Sequence, residues 1–297
     1  MTTSAKILAS ALAHDHGLTP DRTEASHLRD FYTTLKRVYR PADIARVDSL
    51  LEAIDPVVDP DDSLFSAVIV ETRRHRALEQ VVLRTLLTLG IPVQLFHGRN
   101  NLNFIRKSAI AGFVERGDVT LTQLETGALA VREYNQLLLT LRFWERMRGR
   151  NKILVFQTDS TVCPGSPYTL KDFNEFDYIG SCWRPNRPSG LNIEGGSGGF
   201  SLRDWQRTVQ VLQDFPPEAW TAGEDGYFAF HFELVGGRVA TFDETTRFSS
   251  QCAFRAPSLG AHRVSAMSKP DRKRFFEYCP ESADIFPCLA EFRTGNS

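Results

Sequence analysis

The sequence predicts an α/β fold with a mainly parallel sheet, and three stretches of the chain carry this prediction. Residues 64–70 are a continuous apolar run, and residues 152–157 (KILVFQ) give the best buried-strand pattern in the chain. Residues 64–97 change from a strand pattern to a helix pattern and back to a strand within about 35 residues. Because two strands joined in this way lie parallel in one sheet, helices are expected to flank that sheet.

The predicted elements follow in order along the chain. Residues 1–60 are predicted as a helical N-terminal segment, since apolar side chains recur at helical spacing over 28–38 and 41–54. A stretch rich in Pro and Asp at 55–62 marks a linker, and 61–297 is predicted as the main domain. The predicted strands are 64–70, 92–97, 119–124, 152–157, 178–181, 198–202 and 237–241, and the predicted helices are 78–89, 133–148, 203–212 and 227–233.

Composition narrows the function. The 297 residues include 35 Lys and Arg against 36 acidic residues. The chain therefore lacks the surplus of basic residues that is typical of nucleic-acid-binding proteins. No apolar run approaches the roughly 20 residues that cross a bilayer, and no export signal is recognised, which favours the cytoplasm. The cysteines are odd in number, never spaced as C-x-x-C, and expected to be free thiols: Cys163, Cys182, Cys252, Cys279 and Cys288.

Ligands of open α/β sheets bind at the carboxyl ends of the strands, so residues that follow strands are examined first. Thr158 and Asp159 follow the best buried-strand pattern in the chain, and a carboxylate there offers the oxygen ligand that a hard divalent cation prefers. A plain polar turn is the alternative. Trp183 follows another predicted strand, where its ring either stacks on a sugar or belongs to the core.

Four glycines stand in a five-residue stretch, 195–199, just before Phe200. Gly198 and Gly199 allow a ligand to approach the backbone closely, although a flexible turn is the alternative. A strand rather than a helix follows, so the run is a poor match to a dinucleotide fingerprint.

Further candidates lie in the last third of the chain. Thr221 to Glu224 matches a capping box at the start of a helix, and this structural role accounts for Glu224. It does not account for Asp225, whose carboxylate is able to take a proton from an acceptor hydroxyl. A neutral His262 is a competent metal ligand. Arg263 and Lys269 offer positive charge to a diphosphate, and exposed surface positions are the alternative for all three.

The order of these pieces carries a resemblance. The chain contains FQTDS, DYIG, GGSGGFSLR, EDGYF and a late HR, in that order. This pattern resembles an uncharacterised domain family, which in turn resembles glycosyltransferases of the GT-A fold. The likeness extends over about residues 64–270, and it implies a GT-A-like, Rossmann-like fold.

The resemblance also implies roles for individual residues. Asp159 takes the place of the metal-binding D-x-D motif, whose first acidic position is Gln157 here, and His262 completes the metal site. The remaining positions are implied as a general base (Glu224 or Asp225), as donor-nucleotide contacts (Glu71, Thr72, Arg73, Thr158 and Lys269) and as acceptor-side contacts (Gly198, Gly199 and Phe200).

The functional prediction is a sugar transferase assisted by Mn²⁺ or Mg²⁺ that uses a nucleotide-diphosphate sugar, with UDP as the default. The acceptor stays open between a glycan, a lipid-linked glycan, a small molecule and a protein, and inversion is favoured over retention. One alternative is an inactive module that binds a nucleotide, a sugar or a protein, supported by Gln157. The other is a nucleotidyltransferase, although the first strand is followed by basic residues without a glycine.

Overall fold

The computed structural model describes residues 44–183, 194–215, 217, 220 and 223–287. The predictions for residues 1–43, for Thr221 and for Cys288 lie outside these ranges.

A six-stranded sheet forms the centre of the fold, in the order β3-β2-β1-β4-β7-β6. The first four of these strands run parallel, whereas β7 is antiparallel to both of its neighbours. A small sheet, β5-β9-β8, lies beside it. The strands are β1 Phe65–Glu71, β2 Val93–His97, β3 Val119–Gln123, β4 Lys152–Phe156, β5 Ser160–Val162, β6 Tyr178–Ser181, β7 Ser197–Asp204, β8 Ser249–Ser250 and β9 Gly260–His262. The predicted α/β class with a mainly parallel sheet is confirmed.

Helices cover both faces of the large sheet, because alternate strand residues point to opposite sides. In β4, Leu154 and Phe156 join one hydrophobic core, and Ile153 and Val155 join the other. The helices are α1 Ile44–Asp48, α2 Leu78–Leu89, α3 Leu102–Arg106, α4 Ile110–Glu115, α5 Val131–Leu138, α6 Leu141–Glu145, α7 Trp205–Asp214, α8 Glu224–Leu234, α9 Phe242–Phe248 and α10 Lys269–Tyr278. Helices α2 and α10 bury residues in the first core, and α5 to α8 bury residues in the second.

Most element predictions hold, and three need correction. Helix α2 has the predicted bounds and ends at Gly90 in the left-handed conformation. The helix predicted at 133–148 is two helices, because Thr140 adopts an extended backbone and caps α6 by accepting a hydrogen bond from the Phe143 N–H. The strand predicted at 237–241 is reduced to an isolated bridge of Val239 with β6. The prediction of Glu224 as the N3 residue of a capping box is wrong, because Gly223 is the N-cap of α8 and Glu224 is its first residue.

The described part of the N-terminal segment packs on the main domain. Leu51 is buried in the same core as α5 and α6. The Arg146 Nε–H donates hydrogen bonds to the carbonyl oxygens of Leu51 (3.2 Å) and Ile54 (2.7 Å). Among the helices that the structure describes, none has the length and apolar character needed to span a membrane.

Candidate functional site

The register of the small sheet brings His262 against Asp159. Strand β9 pairs antiparallel with β5, and His262 lies opposite Ser160, the residue after Asp159. The His262 Nε2 atom is 3.3 Å from the Asp159 Oδ1 atom. The Arg263 N–H donates to the Asp159 carbonyl oxygen at 2.9 Å, which fixes the two chain segments together. The pairing of a strand-end carboxylate with a late histidine therefore follows from backbone geometry.

Gln251 determines which nitrogen of His262 carries the proton. The His262 Nδ1 atom lies 2.9 Å from Gln251 Oε1, a carbonyl oxygen that accepts, so Nδ1 is the protonated nitrogen. In the neutral ring, Nε2 then presents a lone pair toward Asp159. This Nε2 atom is buried and has no hydrogen-bond partner, since its approach to Asp159 lacks hydrogen-bond geometry. The sequence analysis did not identify Gln251, because this residue reaches His262 only through the pairing of β8 with β9.

The electrostatics of this pair favour a cation. Burial alone raises the pKa of Asp159, but a proton on His262, when present, and the charge of Arg263 outweigh it and lower that pKa. Asp159 is therefore a carboxylate at neutral pH, with 49% of its side chain exposed. A carboxylate oxygen and an imidazole lone pair that face each other repel unless a proton or a metal ion lies between them.

The two groups meet the geometric requirement of a small divalent ion. Neighbouring ligands of an octahedral ion bound at about 2.1 Å are about 3.0 Å apart, close to the 3.3 Å observed. Within residues 44–183, 194–215 and 223–287, no group of three or more His, Cys, Asp or Glu side chains is arranged to hold a metal. Asp159 and His262 would thus supply two ligands, a protein share typical of Mg²⁺ sites that are completed by substrate phosphates and water.

A cavity of about 350 Å³ opens beside this pair, between the ends of β1 and β4 and the start of α5. Its lining is Val70, Glu71, Thr72, Arg73, His75, Leu129, Ala130, Val131, Tyr134, Gln157, Thr158 and Asp159. Apolar side chains from α5 and its preceding loop therefore face charged and polar groups from the strand ends. A cavity of this size and mixed lining suits a small polar ligand with one flat apolar face.

Glu71 and Arg73 form one unit at the cavity wall. The Arg73 guanidinium donates to both carboxylate oxygens of Glu71, at 2.9 Å and 2.7 Å, and the Arg73 N–H donates to the same group at 2.8 Å. Glu71 is buried, whereas 62% of the Arg73 side chain is exposed. The hydrogen bond to Glu71 raises the pKa of Arg73. Glu71 therefore acts as a support that holds a permanent positive charge at the mouth of the cavity.

Other cavity residues differ in how they are fixed. The buried Thr72 accepts a hydrogen bond from the Leu129 N–H at 3.0 Å, so it secures the loop before α5. His75 accepts at Nδ1 from the Ala77 N–H at 3.2 Å, and burial lowers its pKa, so its neutral ring carries the proton on Nε2. The Tyr134 hydroxyl oxygen is buried without a hydrogen-bond partner, and burial raises its pKa. His75 and Tyr134 are additions to the predicted set.

Gly198 and Gly199 bring two groups of side chains close to β7. A Cβ atom on Gly199 would lie 2.2 Å from His262 Nε2 and 2.8 Å from Gln157 Oε1. A Cβ atom on Gly198 would lie 2.1 Å from Glu224 Oε1. The missing side chains therefore make room for His262 on one side of the strand and for Glu224 on the other.

The two predicted base residues have different surroundings. Glu224 is buried, and its Oε2 atom lies 2.7 Å from the NH1 atom of Arg203, a side chain with no exposed area. Asp225 is partly exposed at the start of α8, where its Oδ1 atom accepts a hydrogen bond from the Gly226 N–H at 2.7 Å. Arg203 is the last residue of the GGSGGFSLR motif, so the sequence contained a signal for it.

Several predicted contacts lie outside the cavity lining, among them Phe200, Trp183 and Lys269. Phe200 has no exposed area and packs on Phe248 with ring centroids 5.3 Å apart, so it supports the core beneath the site rather than touching a substrate. Trp183 is 7% exposed and belongs to the core on the α8 side. Lys269 is an exposed residue at the start of α10.

Comparison with known proteins gives a family match and remote structural likenesses. Residues 118–262 match the model of a family described as protein of unknown function (DUF5672), which confirms the predicted resemblance to an uncharacterised family. No curated protein matches the chain. The glycosyltransferase GlyE of Streptococcus pneumoniae TIGR4 is 11% identical over 78% of this chain and 64% of its own, with a TM-score of 0.44. S. aureus TarS 1–349 in complex with UDP-GlcNAc is 13% identical over 56% of this chain and 52% of its own, with a TM-score of 0.35. The chain thus spans less than two thirds of either structure.

Proposed function

We propose that this chain is a glycosyltransferase that moves a sugar from a nucleotide-diphosphate sugar, UDP-linked by default, to an acceptor hydroxyl. One observation carries the proposal: the His262 Nε2 atom lies 3.3 Å from the carboxylate of Asp159, which lines a cavity at the carboxyl edge of the sheet. This is where open α/β sheets bind their ligands. The cavity has room for part of a nucleotide, and the pair provides a place for the cation of its diphosphate.

On the donor side, the proposed contacts divide by charge. Arg73 is held by Glu71 with its guanidinium at the cavity mouth, and Arg263 is exposed beside the metal-binding pair. Both would approach the diphosphate, while Thr72, Thr158 and the apolar wall would face the ribose and base. Lys269 would reach the diphosphate from the start of α10.

Asp159 and His262 would hold Mn²⁺ or Mg²⁺. When bound, such an ion stabilises the negative charge that collects on the diphosphate as it leaves. Gln251 accepts a hydrogen bond from the His262 Nδ1–H, which keeps the Nε2 lone pair of the ring directed at the site. Arg73 and Arg263 add fixed positive charge without reorganising during the reaction.

On the acceptor side, Asp225 is the proposed general base of an inverting reaction. It is partly exposed in the first turn of α8, so its carboxylate is able to accept the proton of an acceptor hydroxyl. Glu224 is the weaker candidate, because its carboxylate already neutralises the buried Arg203. The acceptor would be a glycan, a lipid-linked glycan, a small molecule or a protein.

A second candidate is a module that binds a nucleotide sugar without transferring it. Two observations favour it: Gln157 replaces an acidic residue of the motif, and the ion pair with Arg203 withdraws Glu224 from proton transfer. Both candidates require donor binding, and only the transferase requires turnover.

Calorimetric titration with UDP and with GDP, each with and without Mn²⁺, tests the donor site. We expect Mn²⁺-dependent binding that Asp159→Asn weakens at least tenfold. Asp59→Asn is the matched control, because Asp59 is an exposed carboxylate in the loop before β1. Release of UDP from UDP-sugars then separates the two candidates, since a binding module gives none. If neither nucleotide binds under any condition, both candidates are wrong.

A further inference from the structure

Two cysteines, Cys182 and Cys252, lie on neighbouring chain segments beside the small sheet. Cys182 directly follows β6, and its N–H donates to the Ser249 carbonyl oxygen at 2.9 Å. The Cys252 N–H donates to the Cys182 carbonyl oxygen at 3.3 Å, so the two segments run side by side. The Cys252 side chain lies close enough to Cys182 to lower the pKa of the Cys182 thiol. Cys182 is buried and Cys252 is partly exposed, so Cys252 is the more accessible residue of the pair.

The surroundings of Cys182 stabilise a thiolate. The Gln251 N–H donates to the Cys182 Sγ atom at 3.2 Å. Together, the Cys252 thiol and the backbone groups of residues 251–253 outweigh the effect of burial and lower the pKa of Cys182 to about 6. A thiolate rather than a thiol is the nucleophile that attacks an oxidised sulfur to form a disulfide.

The chain contains a second thiol pair with the opposite character. Cys163 and Cys279 are 2% and 1% exposed. Burial raises the pKa of Cys163, and the neighbouring Cys279 raises it further. A buried thiol with a raised pKa reacts slowly, so Cys163 and Cys279 are an internal control for Cys182 and Cys252.

We propose that Cys182 and Cys252 are an oxidation site that peroxides convert to a disulfide. Peroxide first oxidises the sulfur of Cys252, the more accessible residue: an S–O bond forms, the O–O bond breaks, and the departing hydroxide takes up a proton to become water. The sulfur of Cys182 then attacks Cys252, the S–S bond forms, the S–O bond breaks, and a second water leaves. The two thiols lose two electrons, and one hydrogen peroxide gains them.

Gln251 links this oxidation site to the candidate metal site. Its N–H contacts the Cys182 sulfur, its side chain accepts from His262, and Cys252 is its neighbour in the chain. A disulfide at Cys252 draws the backbone of Gln251 toward Cys182 and changes the support of the His262 ring. Loss of such outer support typically weakens metal affinity 10- to 100-fold. This consequence rests on the proposed function, whereas the oxidation site itself does not.

Peptide mapping of the full chain tests the oxidation site. Reduced protein is treated with hydrogen peroxide, denatured, alkylated and digested. We expect a disulfide-linked peptide pair containing Cys182 and Cys252, with Cys163 and Cys279 still alkylated. Cys252→Ser should abolish that disulfide, and Cys279→Ser should leave it intact. Absence of the Cys182–Cys252 disulfide, or equally fast oxidation of Cys163 and Cys279, would overturn the proposal.

Titration of UDP with Mn²⁺ on the reduced and oxidised protein tests the link to the site. We expect binding to weaken at least tenfold after oxidation, to recover with a thiol reductant, and to be insensitive to peroxide in Cys252→Ser. Unchanged affinity in protein with a mapped disulfide refutes the link alone. If the reduced protein binds no nucleotide, the proposed function fails, and the peptide map still decides the oxidation site.

Discussion

Glu224→Gln is expected to destabilise the protein strongly, because it leaves a buried positive charge without a counter-ion. Arg203 has no exposed area, and its guanidinium carbon lies 4.9 Å from the ring centroid of Phe228, 5.4 Å from that of Tyr178 and 5.8 Å from that of Trp144. Among the described residues, Glu224 is the only carboxylate that forms an ion pair with Arg203. Aromatic faces attract the cation but do not replace a full negative charge.

The size of the effect follows from the burial of both partners. Two unit charges about 4 Å apart attract by about 4 kcal/mol at an effective dielectric constant of 20. Removing one partner of a buried pair typically costs about 3–5 kcal/mol, since the remaining charge keeps its desolvation penalty. We therefore expect Glu224→Gln to lower the free energy of unfolding by about 3–5 kcal/mol, a large share of the ~5–15 kcal/mol typical of a folded domain.

Urea unfolding followed by circular dichroism measures this loss. Glu175→Gln is the matched control: Glu175 pairs with Arg238 at the same 2.7 Å, but both side chains are about half exposed, so the expected loss is below about 1 kcal/mol. The double variant Arg203→Met with Glu224→Leu removes both charges and should recover most of the stability. A loss below about 1 kcal/mol in Glu224→Gln would refute the reasoning, and Glu224 would return as a candidate base.

Two further predictions concern the site and the core. Gly199→Ala places a methyl group 2.2 Å from His262 Nε2, so calorimetry should show Mn²⁺-dependent UDP binding weakened at least tenfold. Gly165→Ala is the control, because its methyl group meets open space and should leave binding unchanged. Equal affinities in the two variants would contradict the placement of His262. Burial lowers the pKa of His231 to about 3 from 6.5, so the unfolded chain binds a proton that the folded chain excludes, and stability falls as the pH drops below about 6.5. Between pH 6.5 and 5, protonation of His231 in the unfolded chain should lower the free energy of unfolding by about 2 kcal/mol. Urea unfolding of His231→Phe should therefore show a free energy of unfolding that falls by about 2 kcal/mol less over this pH range. The same pH dependence in His231→Phe and in the unmodified protein would contradict the prediction.

The sequence predicted the site residues that follow strands better than the residues that support them through tertiary contacts. Asp159 was predicted because a buried apolar run is a strong signal and ligands gather where such strands end. Gln251 was missed because its function comes from the pairing of β8 with β9, two short strands without a periodic pattern. Tyr134 was missed for a related reason, since its hydroxyl is placed by the packing of α5 against the sheet. Tertiary contacts of this kind leave no trace in local spacing.

The base prediction shows where one residue type supports two interpretations. A carboxylate at a helix start is equally consistent with a cap, a base and a counter-ion, and only burial separates these roles. Glu224 begins α8 but turns into the core toward Arg203, while Asp225 stays partly exposed. The sequence placed both carboxylates at the right position in the fold, and it could not assign them because the partner of Glu224 lies on β7.

The four-glycine run shows how one motif meets two physical requirements. Gly195 and Gly196 have φ angles of 95° and 87°, which a residue with a Cβ atom adopts only under strain, so these two shape the entry into β7. Gly198 and Gly199 have no such angles, and their need is steric: a side chain would collide with Glu224 or with His262. Because β7 is antiparallel to β4, its first residues rather than its last lie at the carboxyl edge of β4, with Phe200 opposite Phe156. A single strand reversal thus places the two small residues where the buried Arg203–Glu224 pair and the Asp159–His262 pair both approach the sheet, one on each face.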